Sequence, residues 1–179
     1  MKINKILFIA TLFVAITSNA QIEKGNWMMG GSGSFSNYKS KSGGNTISET
    51  TSLSVRPNIG FFVMDKLAVG SGIGLLYFFP KGDVKSPTYY DISPFVRYYF
   101  LKKEKQINIF SETSYGIELN SLNNNTSQRL NLKAGTVFFL NSSVGIEVAL
   151  NYSSQKDNQD SLNRGIYLNV GFQIHLEKE

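Results

Sequence analysis

Eight charged residues could act together in this chain if the backbone puts them on one face: Arg56, Asp91, Arg97, Glu112, Glu118, Arg129, Lys133 and Glu147. Each sits in a run where apolar and polar residues alternate, and each takes the polar parity. Facing a common interior, such a mixed-sign set could do one of two things. It could form an ion-selective constriction, or it could pair internally as a salt-bridged plug that closes the interior and pins its register. Arg56, Arg97, Glu112, Lys133 and Glu147 are the members expected at similar depth in the lower and middle interior, and they form the candidate structural network.

Hydrolytic chemistry finds less support. His175 is the only histidine, and a catalytic base needs a Ser or Asp partner held beside it. With Asn169 and Gln173 on the same parity, His175 reads as an interior or rim residue. The glycines alternate along strand-like runs, so none opens a helix as a phosphate-binding loop requires. There is no cysteine, which excludes disulfides and thiolate metal sites. No catalytic, cofactor-binding or metal-binding residue is assigned, and a non-enzymatic protein is expected.

These side chains must be positioned by strands. In the last run, Ile166, Leu168, Val170, Phe172, Ile174 and Leu176 share one parity, and Tyr167, Asn169, Gly171, Gln173 and His175 share the other. A period of two is the mark of a β-strand with one apolar and one polar face. Eight such runs are predicted, at 26–38, 51–63, 67–79, 88–100, 106–119, 128–140, 143–153 and 163–176. Each is long enough to cross a bilayer, which takes about 9–11 tilted residues. The connections alternate between short turns (64–66, 101–105, 141–142) and longer polar loops (39–50, 80–87, 120–127, 154–162). Short periplasmic turns and long outer loops characterise transmembrane barrels. An even strand count puts both termini in the periplasm. The first loop, around Gly43-Gly44, is expected to be flexible.

The apolar parity carries no charge from the second run through the seventh. Aromatics are expected in two interfacial belts. Trp27, Phe61, Phe62, Tyr98, Tyr99, Phe100, Phe138, Phe139 and Phe172 would form one, and Tyr77, Phe78, Phe79, Tyr89, Tyr90, Tyr152 and Tyr167 the other. The glycines on the polar parity leave room for long charged groups in a narrow lumen. Pro57 and Pro94 fall on the lipid parity, where each forfeits a ladder hydrogen bond or marks a bulge.

Residues 1–20 read as a cleavable signal peptide. Lys2 and Lys5 precede an eleven-residue apolar core, and Ser18-Asn19-Ala20 supplies the small residues of a cleavage site. A spanning helix would need about 20 apolar residues. Removing the leader leaves 16 basic against 13 acidic residues, too weak and scattered a charge for a nucleic-acid footprint. Residues 21–179 then form one all-β domain: a closed, antiparallel, eight-stranded transmembrane barrel in the outer membrane.

Three segments carry a family resemblance. PNIGFFVMDKLAVGSGIGLLY (57–77) and SPFVRYYF (93–100) resemble strands of the small Gram-negative outer-membrane β-barrel proteins, the OmpX type and the membrane half of OmpA. NVGFQIHL (169–176) resembles their assembly signal, with Asn169, Gly171, Ile174 and Leu176 in the signal positions. The resemblance implies outer-membrane lipid and the outer-membrane assembly machinery as partners, and no shared enzymatic activity. A monomer is expected. The favoured role is structural or surface-interacting. The alternatives are a narrow pore or a soluble, lipocalin-like ligand-binding barrel. The plug outranks the pore because eight strands leave an interior that side chains just fill.

Overall fold

The computed structural model describes residues 22–42, 45–80, 86, 88–122, 125–158 and 161–177. The leader, the Gly43-Gly44 tip and residues 81–85 lie outside the described residues. Eight strands follow one another: β1 (Trp27–Ser42), β2 (Asn45–Met64), β3 (Leu67–Pro80), β4 (Thr88–Tyr99), β5 (Ile107–Asn120), β6 (Thr126–Phe139), β7 (Val144–Asp157) and β8 (Leu162–Leu176). All neighbours pair antiparallel, and β8 returns to β1, so the sheet closes as a barrel in sequence order. Closure supplies the backbone partners that an open sheet would leave wanting at its edges.

Burial follows the period of two. Along β4, Ile92, Val96 and Tyr98 point outward, while Asp91, Ser93, Phe95, Arg97 and Tyr99 are buried in the lumen. The outward face is a band of aliphatic side chains, including Val55, Ile59, Ile73, Ile109, Ile117, Val148 and Leu150. Soluble proteins rarely expose contiguous apolar surface on this scale. Trp27 stacks edge-on against Phe61, Tyr98 against Phe100, and Tyr77 against Phe79.

The belts and the first loop differ from the sequence expectation, and Tyr167, expected in a belt, lines the lumen cavity instead. Phe62, Tyr99 and Phe139 do not belong to the outer belt: they are buried in the lumen beside outward-facing neighbours. Adjacent strand residues point to opposite faces, so an aromatic pair such as Tyr98-Tyr99 cannot serve one belt. The stretch 39–50 is also mostly strand. β1 and β2 stay in register through Lys39↔Glu49 and Ser40↔Ser48, then shift at a bulge before Ser42↔Asn45. Polar Ser, Thr and Lys residues look like a loop, but an antiparallel hairpin already in register extends readily through them.

Both prolines interrupt one ladder. The β2–β3 register skips from Val55↔Leu75 to Asn58↔Gly72, and the β4–β5 register from Ile92↔Ile117 to Phe95↔Ser114. At the turn between β2 and β3, Lys66 has a positive φ of 68°, which L side chains adopt at a cost. The N-terminal segment closes this end of the barrel. Gly25 donates to the Phe62 carbonyl (2.8 Å), Lys66 to the Ile22 carbonyl (2.9 Å), and the Lys24 amide to Asp65 Oδ1 (2.9 Å). At the β4–β5 turn Lys103 pairs with Glu23, whose hydrogen bond and charge hold its ammonium above the usual lysine range.

Candidate functional site: the lumen

At the short-turn end the lumen is solid. Met28 from β1, Phe62 from β2, Ala68 from β3, Tyr99 from β4, Phe110 from β5 and Val137 from β6 are all fully buried. Ile22 caps them from below. His175 lies within this plug, edge-on to Phe62 (5.6 Å), Tyr99 (5.8 Å) and Phe139 (5.4 Å). The Tyr99 hydroxyl reaches its Nε2 at 3.4 Å. Its Nδ1 is buried with no hydrogen-bond partner among the described residues, so this ring-caged imidazole lacks the orienting group that a general base needs. Among the described residues no cluster of His, Asp and Glu could hold a metal ion.

Above the aromatic plug sits the first charged layer. The Arg97 guanidinium is fully buried, lies 4.4 Å from the Phe110 ring centre, and faces two carboxylates. Its Nε donates to Glu112 Oε2 at 2.7 Å and its Nη2 lies 2.6 Å from the same oxygen. Nη1 pairs with Glu147. Lys133 Nζ completes the layer at 2.9 Å from Glu112 Oε1. Arg97, Glu112 and Lys133 are cross-strand partners in one row over β4, β5 and β6.

Arg56 does not join them. It bonds to Asp91 (Nη2–Oδ2 2.6 Å), in a second layer nearer the long loops. There Arg129 pairs with Glu118 and donates to Gln155 Oε1 (3.0 Å), and Gln155 Nε2 donates to Glu118 Oε1 (2.8 Å). The reason is the tilt of the hydrogen-bonded rows in a closed barrel. Counting residues from the turns put Arg56 level with Arg97, whereas Gly74 of β3 pairs with Asp91, which pairs with Glu118 of β5. The lumen set therefore splits into two layers.

Gly74 makes the upper layer possible. A Cβ there would collide with the Asp91 carboxylate, which folds over the glycine to reach Arg56. Replacing Gly74 with Val is expected to cost about 1–3 kcal/mol of unfolding stability, read by urea titration with Trp27 fluorescence. An unchanged midpoint would mean that Asp91 reaches Arg56 by another path.

Between and above these layers is a polar cavity of about 340 Å³. Phe95 and Glu112 lie at its deep end, and Arg129, Asn131, Asn151 and Gln155 line its walls. It is large and polar enough to hold water, and it meets the sealed plug beneath.

No protein-family model matches the sequence, and no curated protein matches it. Solved structures match by fold. The crystal structure of Neisserial surface protein A (NspA) aligns with a TM-score of 0.55 at 13% identity, over 84% of this chain and 97% of that one. The outer membrane protein OprG from Pseudomonas aeruginosa aligns with a TM-score of 0.52 at 13% identity, over 89% and 100%. The chain has the fold of a small outer-membrane barrel.

The four residues expected to form an assembly signal lie on β8. Gly171, Ile174 and Leu176 sit within the ladder to β1, and Asn169 lies just beyond it. Sequence reasoning missed Ile22, buried at the closed end. It precedes the first alternating run, so no periodic signal marked it.

Proposed function

We propose that this protein is a non-enzymatic outer-membrane barrel, with both termini in the periplasm, that supports the envelope structurally or presents its loops for interaction. The observation that carries the reading is the sealed lumen. Phe62, Tyr99, Phe110 and His175 fill the short-turn end, and the buried Arg97 spans from Glu112 to Glu147 directly above. Nothing the size of a hydrated ion passes such a plug without unfolding it. The outward aliphatic band needs lipid around it, which makes outer-membrane lipid a partner. Asn169, Gly171, Ile174 and Leu176 are the residues proposed to engage the assembly machinery. A soluble ligand-binding barrel would put its apolar parity inside, whereas here that parity faces out.

Purified protein in planar bilayers tests the role. No steady conductance is expected from the parent chain. Steady conductance would overturn the plugged reading and favour a narrow pore.

A further inference from the structure

The barrel closes unevenly. The β1–β8 ladder runs only from Trp27↔Leu176 to Ser32↔Gly171, whereas the β7–β8 ladder continues from Val144↔Ile174 to Lys156↔Leu162. Beyond Ser32, among the described residues, β1 keeps its pairing to β2 but has none to β8. A seam is left in the wall, starting about six residues from the short-turn end. On the membrane reading proposed above, on which this inference rests, that is within the bilayer. Unpaired backbone is tolerated there only where it lines a wet cavity or is covered.

Two cavities meet at this seam. Outside lies an apolar groove of about 560 Å³, floored by Gly31, Gly33 and Gly171 and flanked by Val55, Ile146 and Phe172. Inside lies the polar lumen cavity. Ser32, Gly33 and Val170 line both, so the two spaces adjoin at the seam with only these residues between them. The inner space also holds unanswered polar atoms. Asn131 and Asn151 are 5% and 4% exposed, and the Oδ1 of each has no hydrogen-bond partner among the described residues. A buried acceptor without a partner costs about 1–3 kcal/mol. The nearby charges are already committed: Lys133 to Glu112, Arg129 to Glu118, Arg56 to Asp91. Beside its paired charges the cavity offers two uncharged acceptors, which call for hydroxyl donors, and one unpartnered donor, Arg56 Nε, which a hydroxyl oxygen can accept from.

We propose that the β1–β8 seam binds a single-chain amphiphile with an uncharged, hydroxyl-bearing headgroup, of the monoacylglycerol class. The acyl chain lies in the glycine-floored groove on the lipid face. The headgroup passes between Ser32 and Val170 and donates to Asn131 and Asn151. One chain fits because Val55, Ile146 and Phe172 wall the groove on either side. A carboxylate headgroup would add a charge to a set already paired, and would present no donor.

Native mass spectrometry of the detergent-extracted protein with added 1-monooleoylglycerol tests this. Oleate and dioleoyl phosphatidylcholine serve as comparison probes, and all variants are checked for a heat-dependent electrophoretic shift. Saturable one-to-one binding of the monoacylglycerol is expected, with oleate at least about tenfold weaker. Gly33→Leu fills the groove, and its Cβ would meet only the Ser54 carbonyl at 3.6 Å, an ordinary contact. It should weaken binding by about tenfold or more while the mobility shift remains. Asn151→Leu, which leaves the groove untouched, should lower affinity by about tenfold through the lost acceptor. Equal binding of all three probes, or binding unaffected by both substitutions, would mean an unspecific lipid coat and overturn the proposal. Loss of the mobility shift in the parent would instead defeat the membrane-barrel reading itself.

Discussion

Arg97→Ala is expected to be the most damaging single substitution in the barrel, costing about 3–5 kcal/mol or more of unfolding stability. The guanidinium is wholly buried and answers both Glu112 and Glu147, so its loss leaves two largely buried carboxylates without their shared cation. Lys133 compensates only Glu112. Truncation also removes the cation stacked on Phe110. Arg97→Lys keeps the charge but not the planar fork that serves two partners, so it should fall between parent and Ala. Arg97→Met combined with Glu112→Gln and Glu147→Gln should recover much of the loss, since replacing a whole buried ionic set by neutral groups is often close to neutral. Urea titrations in micelles, followed through Trp27, the only tryptophan, measure all of these. Glu104→Ala, in the exposed β4–β5 turn, is the control and should stay within about 0.5 kcal/mol. A loss below about 1 kcal/mol for Arg97→Ala would mean that the layer is hydrated and the plug is not a plug.

A charge placed on the outer face should be the second large effect. Leu150 of β7 is 58% exposed, pairs with Ala134 and Leu168, and lies near the middle of its strand, four residues from Ile146, the partner of Phe138 and Phe172 at one rim. On a soluble protein, Leu150→Arg would be an ordinary surface change, within about 0.5 kcal/mol. In a bilayer, an arginine near the midplane of a barrel costs about 2–4 kcal/mol. Unfolding of the protein refolded in phospholipid vesicles distinguishes the two. Leu162→Arg, at the loop end of β8, should cost far less, because the penalty falls to about 0–1 kcal/mol near the interface. Equal, negligible costs at both positions would mean that no hydrocarbon surrounds the outer face.

Much of the fold was legible because a strand encodes its two faces in every second residue. The alternation of Ile166 through Leu176, or of Ile92, Val96 and Tyr98 against Asp91, Arg97 and Tyr99, states which way each side chain points. Depth was less legible. It depends on how far each strand is staggered against the next, which no single strand encodes, and Arg56 went to the wrong layer for that reason. Gly74 carried the missing information, since its empty position lets Asp91 reach Arg56. Runs of two aromatics such as Phe61-Phe62 and Phe138-Phe139 looked like belts because composition alone ignores parity. The seam between β1 and β8 was invisible, because it joins the two ends of the chain and depends on how long that ladder persists.

The central claim is that charge lies inside this barrel and lipid outside. The most direct test is cell fractionation followed by electrophoresis of unboiled and boiled samples. The account predicts that the mature chain sediments with the outer membrane and resists extraction without detergent. Unboiled, it should run as a compact band at lower apparent mass, shifting to its full mass on boiling. A chain that leaves the cell in the soluble fraction without detergent, and shows no heat-dependent shift, would contradict the account.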